Sequence, residues 1–395
     1  MLKELKEELK NKKILILGFG REGQDTFKFL RKLFPKKEIG IADQKFDKNY
    51  LKKLKGYDII VKTPGIPFKL LRKCDFRKVT TQTEIFFKNC PGQIVGVTGT
   101  KGKSTTSFWI YQALKNGGLK AHLVGNIGKP VLSSLLKARE DDIFVYELSS
   151  HQLYNLKKSP HIAVLLNIYP EHLDYYRNFR EYVGAKANIA KYQTKKDYLI
   201  YNCRDPLVKK IAQKSKAKKI PIQGKYYNLN RAAVEAVSRI LKVPMPKTFK
   251  SLPHRLEYVG KFKGIEFYND SLSTVPETAC EALDFLGNKV QTLLLGGFDR
   301  GLDFRKLAQR ISKSKVKTLI LFPTTGQRIW QELSSFQKEL SSFFVDNMKE
   351  AVRLAYQHTA KGRICLLSPA SPSFGLFKDY EERGNFFKKC VKMLR

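Results

Sequence analysis

The feature that most constrains this chain is a glycine-rich turn that joins an apolar run to a segment with helical spacing, in residues 94–106, IVGVTGTKGKSTT. In such a strand, turn and helix, the backbone N–H groups of the turn and the N-terminus of the helix bind a polyphosphate. We expect Lys103 to contact the terminal phosphates and the hydroxyl of Ser104 or Thr105 to ligate Mg2+. The segment therefore predicts a phosphate-binding loop.

This turn departs from the general Walker pattern in the position of its first glycine. The pattern has a glycine where this chain has Val97, and the chain has Gly96 and Gly99 instead. An ordinary strand-to-helix turn is the alternative interpretation, but it leaves the consecutive Lys103 and Ser104 to chance. We interpret GTKGKST as a variant phosphate-binding loop.

Length and composition indicate a protein of two or three domains that has enough apolar residues for hydrophobic cores and does not span a membrane. The chain has 395 residues, of which 42% are hydrophobic, and its mean hydropathy is −0.36. Residues 1–13 are charged and lack the apolar core of a signal peptide, and no apolar run approaches the roughly 20 residues that span a bilayer. Six scattered cysteines without a CxxC pair fit a reducing compartment. We expect a cytoplasmic protein.

The net charge of +38 permits two interpretations. A basic surface can bind nucleic acid, or it can be solvated charge that also steers small acidic substrates. The lysines are spread along the whole chain, and the densest run, residues 209–219, has no interleaved aromatic residues. This distribution favours the second interpretation, with no nucleic-acid partner.

The first 45 residues have the pattern of a dinucleotide-binding fold. An apolar strand enters GFGREG at residues 18–23, a helical segment follows, and the next strand, Ile39–Ala42, ends at Asp43. A single GxGxxG is weak evidence for a dinucleotide. Asp43 could bind a ribose, a uracil or nothing.

Polar or glycine-containing segments follow several later apolar strands, at residues 63–67 (TPGIP), 125–128 (GNIG), 147–152 (ELSSHQ) and 167–174 (NIYPEHLD). In a parallel sheet such segments lie along one edge, where ligands bind. Glu147 and His172 are therefore candidate metal ligands beside a nucleotide, although each could instead be a capping or core polar residue.

A shift in composition at residues 243–246 predicts a linker, and a hairpin followed by further strands predicts a third α/β unit. The predicted fold is α/β with three domains. They are a Rossmann-like N-terminal domain, a central P-loop NTPase-like domain and a Rossmann-like C-terminal domain, at residues 1–90, 91–246 and 247–395.

Taken together, these motifs resemble those of the Mur ligases over essentially the whole chain. The segments that carry the resemblance, in the family's order, are GTKGKST, GNIG, ELSSHQL, NIYPEHLDYY, PHRLE, NDSLST, LLLGG and SPASPSFGLFKDYEERGNFF. Within the family, the pattern is most similar to members that add glutamate to UDP-N-acetylmuramoyl-L-alanine in peptidoglycan synthesis. The resemblance implies roles in cell wall biogenesis, cell shape and cell division.

The resemblance implies an ATP-driven amide bond that forms through an acyl phosphate. Its cofactors would be ATP and Mg2+, its partners the small molecules UDP-N-acetylmuramoyl-L-alanine and glutamate, and the protein would be a monomer. The implied catalytic residues are Lys103, His172 and Lys186. The implied ATP contacts are Gly99, Thr100, Lys101, Gly102, Lys103, Ser104, Thr105, Asn230, Arg255 and Asp270. The implied metal ligands are Ser104 or Thr105, Glu147, His172 and Lys186 as a carbamate.

The resemblance also implies two groups of substrate contacts. The UDP moiety and the muramoyl substrate would contact Gly20, Asp43, Thr63, Pro64, Gly65 and Asn126. The glutamate would contact Arg300, Ser371 and Phe377. The chain departs from the family pattern at Leu272 and at Arg300, where lysine is common, so both D-glutamate and L-glutamate remain open.

Three other functions are weighed against this one. An NAD-dependent dehydrogenase would use GFGREG and Asp43 but leaves the phosphate-binding loop unexplained. A nucleic-acid-stimulated ATPase would use the basic charge, yet no arginine-rich or aromatic-laced segment supports it. A folate-type glutamate ligase is a nearer relative, and the UDP-type first domain argues against it.

Overall fold

The computed structural model describes residues 2–71, 74–171, 175–224, 227–336 and 339–394. The chain divides into two compact units, Met1–Phe249 and Lys250–Arg395. The first unit contains two sheets and the second contains one, and almost all strand pairs are parallel. The predicted α/β class is confirmed.

A four-stranded parallel sheet, in the order β2-β1-β3-β4, forms the N-terminal part of the first unit. All four residues of its strand ILIL are buried, as expected for a parallel strand covered on both faces. The elements are α1 (Leu2–Leu9), β1 (Ile14–Leu17), α2 (Arg21–Leu33), β2 (Ile39–Ala42), β3 (Ile59–Lys62), β4 (Val79–Thr81) and α3 (Gln82–Asn89).

A six-stranded parallel sheet, in the order β10-β9-β8-β5-β7-β6, forms the rest of the first unit. Its elements are β5 (Gln93–Thr98), α4 (Lys103–Asn116), β6 (Ala121–Gly125), α5 (Leu132–Leu135), β7 (Ile143–Glu147), α6 (Ser150–Leu153), β8 (Ile162–Leu165), α7 (Phe179–Lys191), β9 (Tyr198–Asn202), α8 (Pro206–Lys214), β10 (Lys218–Ile222) and α9 (Tyr227–Ile240). Because β5 lies between β7 and β8, the segments after these three strands meet at one edge.

The two sheets of the first unit share one hydrophobic core. Phe86 on α3 packs edge-on against Phe144 on β7, with ring centroids 5.1 Å apart. The buried Asp25 on α2 accepts hydrogen bonds from Gln82 Nε2 (2.8 Å) and from the backbone N–H of Leu132 (3.1 Å) at the start of α5. These apolar and polar contacts hold the two sheets together as one unit.

The second unit is a six-stranded sheet in the order β11-β12-β16-β13-β14-β15, in which only the β11–β12 pair is antiparallel. Its elements are β11 (Glu257–Phe262), β12 (Ile265–Asn269), α10 (Pro276–Leu286), β13 (Val290–Gly296), α11 (Arg305–Ser312), β14 (Thr318–Phe322), α12 (Thr325–Ser334), β15 (Ser341–Phe344), α13 (Met348–His358), β16 (Ile364–Leu367) and α14 (Tyr380–Met393). The predicted hairpin is therefore confirmed as β11 and β12.

Strand positions agree with the sequence pattern wherever an apolar run was present. Three strands were not predicted, namely β4, β10 and β15, and each is short or polar. The break between the two units, after Phe249, lies three residues beyond the predicted linker. The division into three domains at residues 90 and 246 stays a prediction. Within the described residues, no helix combines the length and apolar character that crossing a bilayer requires.

Candidate functional site

The phosphate loop, residues 99–104, connects β5 to α4. Gly102 has a φ of 86°, in the region that favours glycine, and directly precedes the helix. Backbone N–H groups of Thr100 and Lys101 donate to the backbone oxygen and the Oδ1 of Asn167, each at 2.8 Å. Lys103 Nζ donates to Thr100 O at 2.9 Å. The loop is thus fastened to the segment after β8, with the predicted phosphate-binding lysine folded over it.

A buried carboxylate lies beside the first turn of α4. Glu147 Oε1 accepts hydrogen bonds from Ser104 Oγ (3.1 Å) and Asn126 Nδ2 (3.3 Å). Its other oxygen, Oε2, is buried and has no hydrogen-bond partner in the described part of the chain. A buried oxygen without a donor, next to a serine hydroxyl, fits the oxygen ligands that Mg2+ prefers. Of the two predicted hydroxyls, Ser104 faces this carboxylate, whereas Thr105 is buried.

Lys186 lies on the buried face of α7, with 1% of its surface exposed. Its Nζ donates to Gly99 O at 2.8 Å and lies 4.9 Å from the ring centre of Tyr182. Burial, and secondarily the charge of Lys103, hold the pKa of Lys186 well below its usual value. A neutral amine is the form that can react with carbon dioxide, so the environment of Lys186 fits the predicted carbamate.

Asn230, near the start of α9, packs against the phosphate loop. A Cβ placed on Gly102 would lie 2.6 Å from Asn230 Oδ1, so this position requires glycine for contact as well as for its backbone conformation. The structure therefore brings Asn230 to the same loop as Lys103 and Ser104, although nearly all of its surface is buried.

A cavity of about 360 Å3 opens beside the phosphate loop. It brings together five of the residues predicted for the site: Pro64, Gly65, Lys103, Asn126 and Lys186. The other lining residues were not assigned to the site individually, although residues 149–152 and Glu171 belong to segments predicted for the ligand edge: Glu22, Ser149, Ser150, His151, Gln152, Glu171, Tyr175 and Tyr182. The predicted residues thus meet in a cavity with a mixed aromatic and charged lining.

A second cavity, of about 380 Å3, lies at the carboxyl ends of the strands of the first sheet. Its lining includes the predicted residues Gly20, Asp43, Thr63, Pro64, Gly65 and Asn126. The Asp43 carboxylate accepts backbone hydrogen bonds from Lys45 (2.8 Å) and Phe19 (2.5 Å), which lower its pKa. Asp43 is therefore a fixed, charged acceptor beside the glycine turn.

The two cavities share Glu22, Pro64, Gly65 and Asn126, and these four residues are called the waist below. A Cβ on Gly18 would lie 2.1 Å from Thr63 Oγ1, so glycine is required where the first turn meets residues 63–67. The common lining shows that the two cavities adjoin, one at Asp43 and the other at Lys103.

In the second unit, Asp270 lies at the end of β12. Its Oδ1 accepts from the backbone N–H of Leu256 (3.0 Å) and its Oδ2 from Ser368 Oγ (2.8 Å). Burial raises the pKa of Asp270 to about 6, and the charge of Arg255 acts against this shift. Arg255 is half-buried, so the two predicted ATP contacts of this unit are close enough to interact electrostatically.

The three residues predicted for glutamate occupy different environments. Arg300 is exposed, with its guanidinium 5.5 Å from the ring centre of Phe374. Ser371 is completely buried, and its Oγ is 2.7 Å from Thr325 Oγ1. Phe377 is half-buried. Their shared role remains a prediction.

Sequence reasoning missed several charged residues near these loops, of which Lys62 and Arg383 are buried. Glu22 accepts a hydrogen bond from Gln152 Nε2 at 2.7 Å, and Lys62 is 1% exposed. In the second unit, Arg383 is buried, and its Nε and Nη2 donate to Ser271 Oγ (3.0 Å) and Ser271 O (2.9 Å). Burial lowers the pKa of Arg383 to about 9. The available signal was the motifs themselves, because Glu22 lies within GFGREG, Arg383 lies within SPASPSFGLFKDYEERGNFF, and Lys62 directly precedes TPGIP.

The structure describes only some of the residues that were predicted to bind metal. His172 lies outside the described residues. Over the ranges that the structure describes, no group of three or more His, Cys, Asp and Glu side chains is arranged to hold a metal. The predicted ligand set would instead combine Ser104 and Glu147 with His172 and a modified lysine.

Comparison with known proteins supports the resemblance along the whole chain. Residues 97–263 match the family profile described as Mur ligase middle domain, and residues 254–371 match the Mur ligase, glutamate ligase domain. The chain is 33% identical to a UDP-N-acetylmuramoylalanine–D-glutamate ligase from Acetivibrio thermocellus, covering 100% of this chain and 99% of the relative. A ligase of the same name from Clostridium botulinum strain Hall is also 33% identical, covering 99% of each chain.

Solved structures show the same fold. The UDP-N-acetylmuramate-alanine ligase MurC from Thermotoga maritima aligns with a TM-score of 0.61 and 17% identity, covering 98% of this chain and 100% of that one. MurF ligase from the same organism, determined in complex with ADP, aligns with a TM-score of 0.60 and 18% identity, covering 97% and 95%. The full-length matches confirm the predicted family, and this chain belongs to the Mur ligases.

Proposed function

We propose that this protein is an ATP-dependent ligase that joins D-glutamate to UDP-N-acetylmuramoyl-L-alanine in the synthesis of peptidoglycan precursors. The observation that carries the proposal is the waist, through which a nucleotide-sized cavity at Asp43 adjoins the cavity of the phosphate loop. A substrate with a nucleotide at one end and a reacting carboxylate at the other matches this layout. The names of the full-length relatives supply the choice of D-glutamate.

In this proposal the second cavity, which is lined by Asp43 and Gly20, binds the UDP moiety. The substrate carboxylate attacks the γ-phosphorus of ATP, ADP leaves, and an acyl phosphate remains. The amine of glutamate then attacks the acyl carbon, inorganic phosphate leaves, and the amine loses a proton as the amide forms. This reaction depends on positioning and on neutralising crowded negative charge.

The chain's own residues would supply that neutralisation at the phosphate loop. Lys103 would bind the terminal phosphates of ATP, Asn230 would support the loop, and Ser104 with Glu147 would hold a Mg2+ ion. The ion would contribute charge stabilisation at the phosphoryl oxygens. Asn126 donates to Glu147 and lines the waist, so it can orient the muramoyl substrate beside the metal ligands.

A carbamate on Lys186 is also part of the proposal. The neutral Nζ would attack carbon dioxide, form an N–C bond and release a proton, which converts the amine into an oxygen-bearing anion. Together with His172, this anion would serve a second Mg2+. The modification places a negative charge, in place of a neutral amine, near Lys103, which favours binding of two metals.

In the C-terminal unit, we assign Arg255 and Asp270 to ATP, and Arg300, Ser371 and Phe377 to glutamate. A cationic side chain is needed for one of the two carboxylates of glutamate, and Arg300 is exposed enough to meet it. The proposal includes a monomeric enzyme in the cytoplasm, where ATP and nucleotide-linked precursors are available.

A coupled assay of phosphate release tests the proposal. Turnover is expected with UDP-N-acetylmuramoyl-L-alanine and D-glutamate together, and not with either alone. Turnover with L-glutamate but not D-glutamate would reverse the stereochemical assignment. Stimulation by nucleic acid without these substrates would replace the ligase with a nucleic-acid-dependent ATPase.

Calorimetry tests the cavity at Asp43 separately. UDP-N-acetylmuramoyl-L-alanine is expected to bind, and NAD is not. Tight binding of NAD without binding of the UDP substrate would favour a dehydrogenase and contradict the proposal.

A further inference from the structure

The sequence TPGIP, residues 63–67, forms a turn with very few backbone donors. Pro64 and Pro67 have no N–H group. The Ile66 N–H donates within the turn to Thr63 O at 3.2 Å, and the Thr63 N–H donates to Leu17 O at 2.9 Å. Gly65 is therefore the one residue of the turn whose N–H has no hydrogen-bond partner in the described part of the chain.

Two side chains hold the carbonyl oxygens of this turn. The buried Lys62 Nζ donates to Thr63 O (2.9 Å) and Ile66 O (2.7 Å). The hydroxyl of Tyr175 lies 3.1 Å from both Pro64 O and Ile66 O. Three carbonyl groups of the turn are thus fixed by donors from β3 and from the segment before α7.

Planarity of the peptide group determines what this does to Gly65. The Pro64 carbonyl and the Gly65 N–H belong to the same trans peptide and point in opposite directions. Because Tyr175 holds Pro64 O, the Gly65 N–H points away from Tyr175. Tyr175 lines the cavity beside the phosphate loop but not the second cavity, at Asp43, whereas Gly65 lines both. A Cβ on Gly65 would meet no atom within 4 Å, so ligand atoms can approach closely.

We propose that Lys62 and Tyr175 are positioning residues that orient the Gly65 N–H as a hydrogen-bond donor to the diphosphate of the nucleotide-linked substrate. This inference rests on the proposed function, since it assumes that the substrate carries a diphosphate at the waist. The two residues touch the turn and not the reacting atoms. Their effect is on the affinity for the diphosphate group.

The surroundings of the Lys62 amine support this role. Its Nζ is 4.4 Å from the ring centre of Phe68, and Glu22 at the waist attracts it electrostatically. Burial lowers the pKa of Lys62 to about 7, and Glu22 opposes that shift. With or without its extra proton, the Lys62 amine donates to Thr63 O and Ile66 O, which keeps these partial negative charges away from an anionic ligand.

The test compares UDP with uridine as competitive inhibitors of Tyr175→Phe and Lys62→Met. Tyr175→Phe removes only the hydroxyl and keeps the ring that packs on His151. We expect the inhibition constant for UDP to rise about tenfold, as for loss of one hydrogen bond to a charged group. The constant for uridine, which has no phosphate, should stay within about twofold, because uridine makes no contact through a diphosphate.

The matched controls are Tyr192→Phe and Lys55→Met, which alter exposed side chains and should leave both constants unchanged. Equal weakening of UDP and uridine would show a general distortion of the cavity and overturn the inference, as would an unchanged UDP constant in Tyr175→Phe. If Lys62→Met does not fold, Tyr175→Phe decides alone. Calorimetry with UDP and uridine measures binding without turnover. Absence of ligation in the unaltered chain would therefore count against the proposed function, and not against the difference between UDP and uridine that tests this inference.

Discussion

The phosphate-loop edge of the first unit and the amino-acid loops of the second unit differ in how closely sequence motif and structure agree. At the phosphate loop, residues predicted from separate motifs line one cavity, and Glu147 directly contacts Ser104 and Asn126. In the second unit, Arg300 is exposed while Ser371 is completely buried. A phosphate site depends mainly on backbone geometry, which glycines and strand ends reveal. A pocket for an amino acid depends on side-chain placement.

The largest expected effect concerns Lys186. Replacing Lys186 with Ala should nearly abolish ligation, because the proposed carbamate and its metal contact are both lost. Added formate should partly restore activity by placing a carboxylate in the vacated space. The measurement is the ligation rate with and without formate. Restoration by formate would show that the first unit contributes catalytic groups as well as a nucleotide site, which widens its difference from the second unit.

Lys191→Ala is the matched control, since Lys191 is on the same helix but exposed. A Lys186→Ala variant that behaves like Lys191→Ala would contradict the carbamate. So would an unmodified amine at Lys186 in an enzyme that is indifferent to removal of bicarbonate.

Replacing Lys103 with Ala should lower kcat by a hundredfold or more, a magnitude typical of one interaction with developing charge. The thermal transition should be little changed, because this lysine is not part of the apolar core. Lys115→Ala, an exposed position on the same helix, is the control. Near-normal turnover in Lys103→Ala would contradict the phosphate-binding assignment, and the agreement between motif and structure at the phosphate loop would then not extend to function.

Arg300→Ala tests the weaker side of the comparison. The KM for glutamate should rise about tenfold with little change in the KM for ATP, because an exposed guanidinium can pair with a substrate carboxylate. Lys306→Ala, at an exposed position on α11, serves as control. An unchanged KM for glutamate would place the pocket elsewhere. Ser371→Ala should instead lower stability, since its hydroxyl is buried against Thr325.

Much of the fold could be predicted because apolar runs mark buried parallel strands. Strand β15, with the sequence SSFF, and β10, with Lys218 and Pro221, could not be recognised. Both are edge strands, where charged, polar and proline residues are tolerated because only one side is paired. The apolar signal can therefore be lost at an edge, as in β10 and β15, although the edge strand β2 keeps it.

The candidate site could be predicted as far as its motifs extend. The roles of Lys62 and Glu22 could not, because a buried lysine and a surface lysine are identical in sequence, and among the described residues only Lys62 and Lys186 are buried lysines. Only the fold shows that Lys62 lies beneath the TPGIP turn and that Gln152 reaches Glu22. Distant pairings of this kind depend on tertiary structure.

The smallest expected effect is on stability, at Asp270. Its pKa is raised by burial to about 6 in the folded protein, against 3.8 for the ordinary group. The folded state therefore holds the proton more tightly, so this carboxyl favours folding at low pH and that contribution is lost as the pH rises from about 4 through 6. Above pH 6 the buried carboxylate is charged and carries a desolvation cost.

Asp270→Asn removes that cost while keeping an oxygen that can accept from the Leu256 N–H. The Tm of the variant relative to the unaltered protein should be higher at pH 7.5 than at pH 5 by a few degrees, which corresponds to about 1–2 kcal/mol. Ligation should fall, because we assign Asp270 to ATP binding. Asp346→Asn, at an exposed position in the same unit, should show no such pH-dependent difference. A Tm difference that is independent of pH would mean that the pKa of Asp270 does not change on folding. A gain in stability together with a loss of activity would show that the second unit, too, keeps a destabilising buried charge for its function.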